Sequence, residues 1–249
     1  MTKIILSGCM GRMGSAITEI VKNTENAEIV CGFDMAKGER SYPVYSDYAD
    51  VDVEADVIID FSHPANFENI LTFAKAKNLP IIMCTTGLSD EQKAELNAAS
   101  AEIPVFFSAN MSLGINLLIR LAKMATKVLE TNYDIEIVEK HHNKKLDAPS
   151  GTALAIADAI ADTMSDDAKY VYERQSVRRQ RERSEIGIHA IRGGTIVGDH
   201  DVIFAGPDEV ITLSHSAASR EVFAQGAVRA AMFMTGKPKG FYCMDDLFN

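Results

Sequence analysis

The chain has 249 residues, enough for one large domain or two modest ones, and its 47% hydrophobic and 24% charged residues are the balance of a globular protein. A formal net charge of −10 argues against nucleic acid as the main partner. Four cysteines (Cys9, Cys31, Cys84, Cys243) lack CxxC spacing, which argues for reduced thiols and against a disulfide framework. No signal-peptide core precedes the first strand and no apolar run nears the length of a membrane span, so a cytoplasmic location is expected.

Lys3 to Gly8 reads as a buried strand. The glycine turn Gly8-Cys9-Met10-Gly11-Arg12-Met13-Gly14 follows, then a helix over Arg12 to Lys22, then a strand over Glu28 to Phe33 that ends in Asp34. This is the context of a dinucleotide-binding turn. Glycines let backbone approach a pyrophosphate, the helix N-terminus offers N–H groups, and the acid reaches the adenosine ribose. The Gly-x-x-Gly-x-x-Gly spacing departs from the common G-x-G-x-x-G, so a glycine turn without ligand is the plain alternative. Asp34 favours NADH, because a carboxylate repels the extra phosphate of NADPH. Lys37 moderates that repulsion, and dual use of NADH and NADPH stays open.

Asp56 to Phe61 is a third strand, and Ser62-His63-Pro64 turns into a helix ending near Lys77. Leu79 to Cys84 is a fourth strand, broken by Thr85-Thr86-Gly87. Ser89 to Gln92 has the form of a capping box. Ile103 to Phe107 is a fifth strand, ending in Ser108-Ala109-Asn110-Met111. Continuous apolar strands alternating with helices predict a Rossmann-type doubly wound parallel sheet. Its ligands sit beyond the carboxyl ends of the strands, where Gly8, Asp34, Thr85 and Asn110 fall.

A long helix over Gly114 to Leu129 places Leu117, Leu118, Leu121, Met124, Ala125 and Val128 on one face, expected to pack on the core. A strand over Tyr133 to Val138 then enters the richest stretch of the chain, Glu139-Lys140-His141-His142-Asn143-Lys144-Lys145-Leu146-Asp147-Ala148-Pro149-Ser150-Gly151-Thr152-Ala153. Pro149 turns the chain, and Ser150 can cap a helix starting near Gly151, directing the Gly151 and Thr152 N–H groups at an anion. His141 and Lys145, upstream of that turn, can both move protons. A solvated loop is the bland alternative. Adjacent His141 and His142 point opposite ways on a strand and no Cys has ligand spacing, so no metal is expected.

The run Arg178-Arg179-Gln180-Arg181-Glu182-Arg183 reads as an exposed loop or helix face. Ile186 to Arg192, Thr195 to Ala205 and Val210 to Ser216 are strands joined by short turns, the signature of a mostly antiparallel open sheet in an α+β domain. A last helix, Arg220 to Met234, returns to the first domain. The expected division is therefore 1–111 with 220–249 for the dinucleotide, and 112–219 for substrate and oligomerisation. Arg220 is a further candidate for a carboxylate, with capping or local pairing as its alternative.

These motifs resemble the 4-hydroxy-tetrahydrodipicolinate reductase (dihydrodipicolinate reductase) family. The likeness runs in order from residues 8–14 through Asp60-Phe61-Ser62, Thr85-Thr86-Gly87 and Asn110 to Gly114. It continues through Glu139 to Ala153, Arg192-Gly193-Gly194, Gly198-Asp199-His200, His215 to Ala227 and Tyr242 to Asp245. The resemblance implies a homotetramer that reduces the cyclic imine formed from 4-hydroxy-tetrahydrodipicolinate, in lysine and diaminopimelate biosynthesis, with NADH or NADPH. It implies His141 as proton donor/acceptor, Lys145 as proton donor, and His142, Ser150, Gly151 and Thr152 as substrate-binding residues. Cofactor contacts would come from Gly8 to Gly14, Asp34, Cys84, Thr85, Thr86, Ser108, Ala109, Asn110 and Met111. The family usually has Gly at Cys84, Phe at Met111 and an Arg shortly after the acid, where Met35-Ala36-Lys37 stand here. On residues alone, an aspartate or meso-diaminopimelate dehydrogenase on the same scaffold stays open. A non-catalytic nicotinamide sensor is a second alternative, but it would need no proton donors beside an anion turn.

Overall fold

The structure, a computed structural model, describes residues 1–248. The chain divides into two compact units, Met1–Ser112 with the segment from Glu221 onward, and Leu113–Arg220.

The first unit contains β1 (Thr2–Ser7), α1 (Arg12–Lys22), β2 (Ala27–Phe33), β3 (Val44–Tyr45), β4 (Val57–Asp60), α2 (Phe67–Ala76), β5 (Ile81–Met83), α3 (Asp90–Ala99) and β6 (Pro104–Phe107). After the second unit the chain returns as α6 (Glu221–Met234) and β12 (Gly240–Tyr242). All seven strands are parallel, in the order β12-β6-β5-β4-β1-β2-β3. This is the Rossmann-type sheet expected from the continuous apolar strands. α2 and α3 cover one face, packing Phe67, Ile70, Leu71 and Leu96 against Ile5, Ile58, Ile81 and Val105. α1 and α6 pack together, and α6 lies against β1, β4, β5 and β6. Order reverses between β1 and β4, so a crevice opens at the carboxyl ends of those strands. β3 and β12 are edge strands of two and three residues that carry too little pattern to read from sequence.

The second unit contains α4 (Leu113–Leu129), β7 (Asp134–His141), α5 (Gly151–Ala161), β8 (Lys169–Val171), β9 (Glu185–Arg192), β10 (Gly198–Ala205) and β11 (Val210–Ala217). Its sheet, β11-β10-β7-β9-β8, is mixed: β11–β10 and β10–β7 are antiparallel, β7–β9 and β9–β8 parallel. The expectation of antiparallel neighbours from short turns therefore holds for one half only. β9 and β10 follow each other closely yet do not pair, because β7 lies between them. β10 also begins at Gly198, three residues later than the apolar pattern suggested.

The face of α4 needs correction too. Its buried side is Ile115, Leu118, Ala122 and Thr126, whereas Leu117, Leu121, Met124 and Val128 are exposed, Val128 at 78%. Apolar residues encircle much of this helix, so periodicity alone did not choose the side. α5 and β11 pack against α4, and Ala122 and Thr126, both fully buried, are small enough for close approach. The Arg-rich run lies in an irregular segment, but Arg181 is not solvated: it pairs with Asp134 at 2.7 Å and Glu136 at 3.1 Å. Among the described residues no helix is long and apolar enough to cross a membrane.

Candidate active site

In the first unit, the glycine turn is fixed by backbone packing. Gly8 has φ +77°, and a Cβ there would lie 2.4 Å from the Phe61 carbonyl oxygen. A Cβ on Gly14 would lie 2.3 Å from the Gly8 oxygen. The turn is thus folded tightly between β1, β4 and α1. α1 starts at Gly11 with no side-chain cap, whereas α3 starts with the full Ser89–Gln92 capping box. A long helix whose first N–H groups have no side-chain acceptor is suited to a phosphate.

Asp34 closes β2 as expected. Its carboxylate accepts from the Met10 N–H at 2.8 Å and the Ala36 N–H at 2.9 Å. The carbonyl of the same Cys9–Met10 peptide accepts from the Arg40 guanidinium at 2.7 Å, and Arg40 also donates to Ser15 Oγ at 2.8 Å. An acid and a cation therefore grip one peptide from its two ends. Arg40 was missed in the sequence because it lies six residues past Asp34, beyond the Met35-Ala36-Lys37 segment where a cation was sought. Cys9 sends its thiol inward, against Gly32 and Tyr42, so only its backbone faces the turn. Burial, with Asp34 adding to it, pushes that thiol up to about 11.

A cavity of about 630 Å³ opens at the carboxyl ends of β4, β5 and β6. Met13, Cys84, Thr85, Thr86, Ser108, Ala109, Asn110 and Met111 all line it, joined by Phe61, Ser62, Leu88 and Phe223. Its base is fixed by a 2.6 Å hydrogen bond from Thr85 Oγ1 to buried Asp60. Burial, reinforced by Asp60, raises the Cys84 thiol well above its ordinary value, so Cys84 meets the cavity as a neutral group. Gly226 on α6 has no room for a side chain, since a Cβ would sit 1.7 Å from the Met111 oxygen. The cradle, the uncapped helix and the cavity together fit a dinucleotide.

In the second unit, β7 alternates strictly, with Ile135, Ile137, Glu139 and His141 on its buried face. His141 Nδ1 lies 2.6 Å from Glu139 Oε2. Glu139, fully buried, also meets Arg192 on β9 through two 2.7 Å contacts and accepts from the Ser150 N–H at 3.0 Å. Burial alone would push the Glu139 carboxyl up; hydrogen bonds from Arg192, His141 and Ser150 outweigh it and hold it below the ordinary carboxylate range. Ser150 Oγ accepts from the Ala153 N–H at 3.1 Å, the expected cap of α5. Ser150 Oγ also lies 3.2 Å from His200 Nε2 on β10. Burial first, and the neighbouring His141 second, lower His200 to about 4, so its ring is neutral near pH 7.

Lys145 pairs with Asp147 at 2.9 Å on the loop between β7 and α5. That loop is tied to β9 by Arg192, which donates to the Asp147 carbonyl at 2.7 Å. His142 is half-buried and its Nδ1 has no hydrogen-bond partner among the described residues. Gly151 is exposed at the start of α5, with nothing within 4 Å of the position a Cβ would take. His141, Lys145, Ser150, Gly151 and Thr152 thus share one framework of β7, a loop and α5. Glu139, Arg192 and His200 were not assigned roles by the sequence. A Glu in the apolar phase of a strand was the available signal for Glu139.

A Rossmann-type sheet with an uncapped glycine turn, followed by a unit that gathers His141, Lys145 and the Ser150-capped start of α5, has the make-up of a nicotinamide-dependent oxidoreductase. The comparisons narrow that class. Residues 2–111 match the family described as dihydrodipicolinate reductase, N-terminus, and residues 114–248 match dihydrodipicolinate reductase, C-terminus. The 4-hydroxy-tetrahydrodipicolinate reductase of Caldanaerobacter subterraneus subsp. tengcongensis is 54% identical over 247 residues, covering 99% of this chain and 98% of that protein. The one from Clostridium novyi is 51% identical over 248 residues, with the same coverage of 99% and 98%. A dipicolinate-bound dihydrodipicolinate reductase from Paenisporosarcina sp. TG-14 shares the fold with a TM-score of 0.81 at 24% identity, covering 98% of this chain and 97% of that one. The chain belongs to the dihydrodipicolinate reductase family.

Proposed function

We propose that His141 and Lys145 handle the protons of the reaction, and that His142, Ser150, Gly151 and Thr152 bind the substrate carboxylates. The reaction is the NAD(P)H-dependent reduction of 4-hydroxy-tetrahydrodipicolinate, through its cyclic imine, to tetrahydrodipicolinate, the step at which this family serves lysine and diaminopimelate biosynthesis. The observation that carries the assignment of roles is the Ser150-capped start of α5 bonded to the same carboxylate as His141.

The division of labour follows the two units. Met1–Ser112 with the segment from Glu221 onward binds the cofactor through the Gly8–Gly14 turn, Asp34 and the cavity lined by Cys84 to Thr86 and Ser108 to Met111. The bound nicotinamide supplies the hydride for ring C4 of the conjugated imine. Leu113–Arg220 binds the dianionic substrate and carries contacts between copies in a homotetramer. Cations near the anion turn draw such a substrate into an acidic protein. Reduction at C4 leaves an enamine, and Lys145 or His141 delivers the proton it needs from hydrogen-bond distance. The four unpaired cysteines accord with a cytoplasmic setting.

Both NADH and NADPH serve as cofactor in this reading. Asp34 favours the free ribose of NADH, and Arg40, across one peptide from it, offers a cation to the phosphate of NADPH. The test is a coupled assay in which pyruvate and aspartate semialdehyde generate the unstable substrate while NADH or NADPH absorbance is followed. Asp34→Ala is expected to shift the NADH/NADPH ratio of kcat/KM toward NADPH. An unchanged ratio would show that Asp34 does not read the ribose, and no oxidation of either cofactor would overturn the activity itself.

A further inference from the structure

The carboxylate of Glu139 has a saturated set of donors. Oε1 receives the Ser150 N–H at 3.0 Å and Arg192 Nη2 at 2.7 Å. Oε2 receives Arg192 Nη1 at 2.7 Å and faces His141 Nδ1 at 2.6 Å. An ionised carboxylate has two oxygens with about four acceptor sites and no proton to give. Arg192 keeps it ionised, and its guanidinium has no acceptor atom either. The fourth partner must therefore be a donor, so the Nδ1 of His141 carries hydrogen. In the neutral imidazole that leaves Nε2 bare.

The far side of the ring agrees. A Cβ on Gly198 would come within 3.0 Å of His141 Nε2, so glycine at the start of β10 spares that nitrogen a side-chain contact. His200, edge-on to His141 with ring centroids 5.3 Å apart, has its own Nε2 against Ser150 Oγ and does not compete for Glu139. Resting on the proposed proton role of His141, we infer that Glu139, locked by Arg192, is a positioning residue: it holds His141 in the Nδ1–H tautomer and makes Nε2 the one ring atom that exchanges a proton with substrate. The same carboxylate fixes the Ser150 N–H, so one buried group sets the proton-transfer nitrogen and the start of the anion turn in register.

The test uses the full-length enzyme. In protein labelled with ¹⁵N-histidine, with His141 assigned by comparison with His141→Gln, the neutral ring is expected to show a protonated Nδ1 and an unprotonated Nε2. A protonated Nε2 in the wild-type protein overturns the inference without any further variant. In Glu139→Gln the amide can no longer accept from both His141 and Arg192. The Nε2–H tautomer should gain population and kcat should fall between about tenfold and 10³-fold, below the roughly 10⁴-fold cost of a wrong tautomer where an acid orients a catalytic histidine. The Gln carbonyl oxygen can still accept the Ser150 N–H, so KM for the substrate should stay within about threefold and NADH affinity should not change. A role confined to folding would leave the tautomer unmoved and raise KM with the fall in kcat. Near-normal turnover in His141→Gln would instead remove the proposed role of His141. Loss of turnover in His141→Gln with kcat of Glu139→Gln within twofold of wild type would sink the positioning role of Glu139 alone.

Discussion

Two helix N-termini are given anion-binding roles in the proposed function, and they are built in opposite ways. α1 opens from a glycine turn with no side-chain cap, and its neighbours are backbone atoms packed too closely for any Cβ at Gly8 or Gly14. α5 opens from Ser150, whose hydroxyl caps Ala153 and whose N–H is held by a fully buried carboxylate. The contrast follows from what each turn must do. A pyrophosphate only has to be held, and bare N–H groups suffice. A substrate that must also receive a proton needs imidazole and ammonium groups at fixed positions, and side chains are fixed by other side chains. The first turn is a matter of shape, the second of a charged network.

The largest effect that sharpens this contrast is expected at Lys145. Lys145→Ala should lower kcat by about 10²- to 10⁴-fold, the range for a positioned acid–base group, with NADH affinity unchanged. Steady-state kinetics and a NADH fluorescence titration read the two quantities separately. A parallel loss of NADH binding would break the division between the turns. The mirror-image change is Gly14→Ala, whose Cβ meets backbone atoms at 2.3 to 2.6 Å. Overpacking of this kind costs about 1–3 kcal/mol, so thermal stability and NADH affinity should both drop. Normal affinity for NADH in that variant would show that close backbone packing is not what shapes the turn.

The same contrast explains what the sequence displayed. The parallel sheet was legible because β1, β2, β4, β5 and β6 carry apolar runs separated by helices, and the glycine turn was legible because its reasons are local. Ser150 as cap and the Ser89–Gln92 box are local too, and both stand as read. What escaped notice depends on pairing across the chain. Arg192 reaches Glu139 only because β9 lies beside β7, and nothing near Arg192 announces that neighbour. β9 and β10 looked like a hairpin because a short turn joins them, yet β7 takes the place between them. The stripe of α4 failed for a related reason. Leu117, Leu121, Met124 and Val128 have helical spacing, but which side of a largely apolar helix is covered depends on the partners that reach it.

A smaller effect separates the turns at their caps. Ser150→Ala removes the acceptor for the Ala153 N–H and the contact with His200, and should cost about 0.5–2 kcal/mol of stability. Calorimetry should show a lower Tm, and KM should rise more than kcat falls if the turn has its proposed role of binding the substrate without donating the proton. If the α5 turn worked by backbone alone, as the α1 turn does, this substitution would leave both Tm and KM as they are.

The smallest expected effect lies away from the turns and appears only in acid. Ion pairs also fasten the Arg-rich segment to the second unit's sheet, where buried Glu185 meets Arg174 at 2.6 Å and Arg179 at 2.5 Å. The Arg174 hydrogen bond is the main reason that the Glu185 carboxyl lies at about 2 instead of 4.5. A depressed native value means that the unfolded chain binds this proton more readily. The stabilisation from Glu185 is therefore present above about pH 4.5 and is lost as pH falls toward 2. Arg174→Met should raise the native value and shrink that window, moving acid unfolding of the second unit to higher pH. Circular dichroism followed from pH 5 to 2 reads the midpoint, with stability near pH 7 falling only modestly because the replaced arginine is partly exposed. An acid midpoint identical to wild type would mean that Arg179 alone holds the carboxylate.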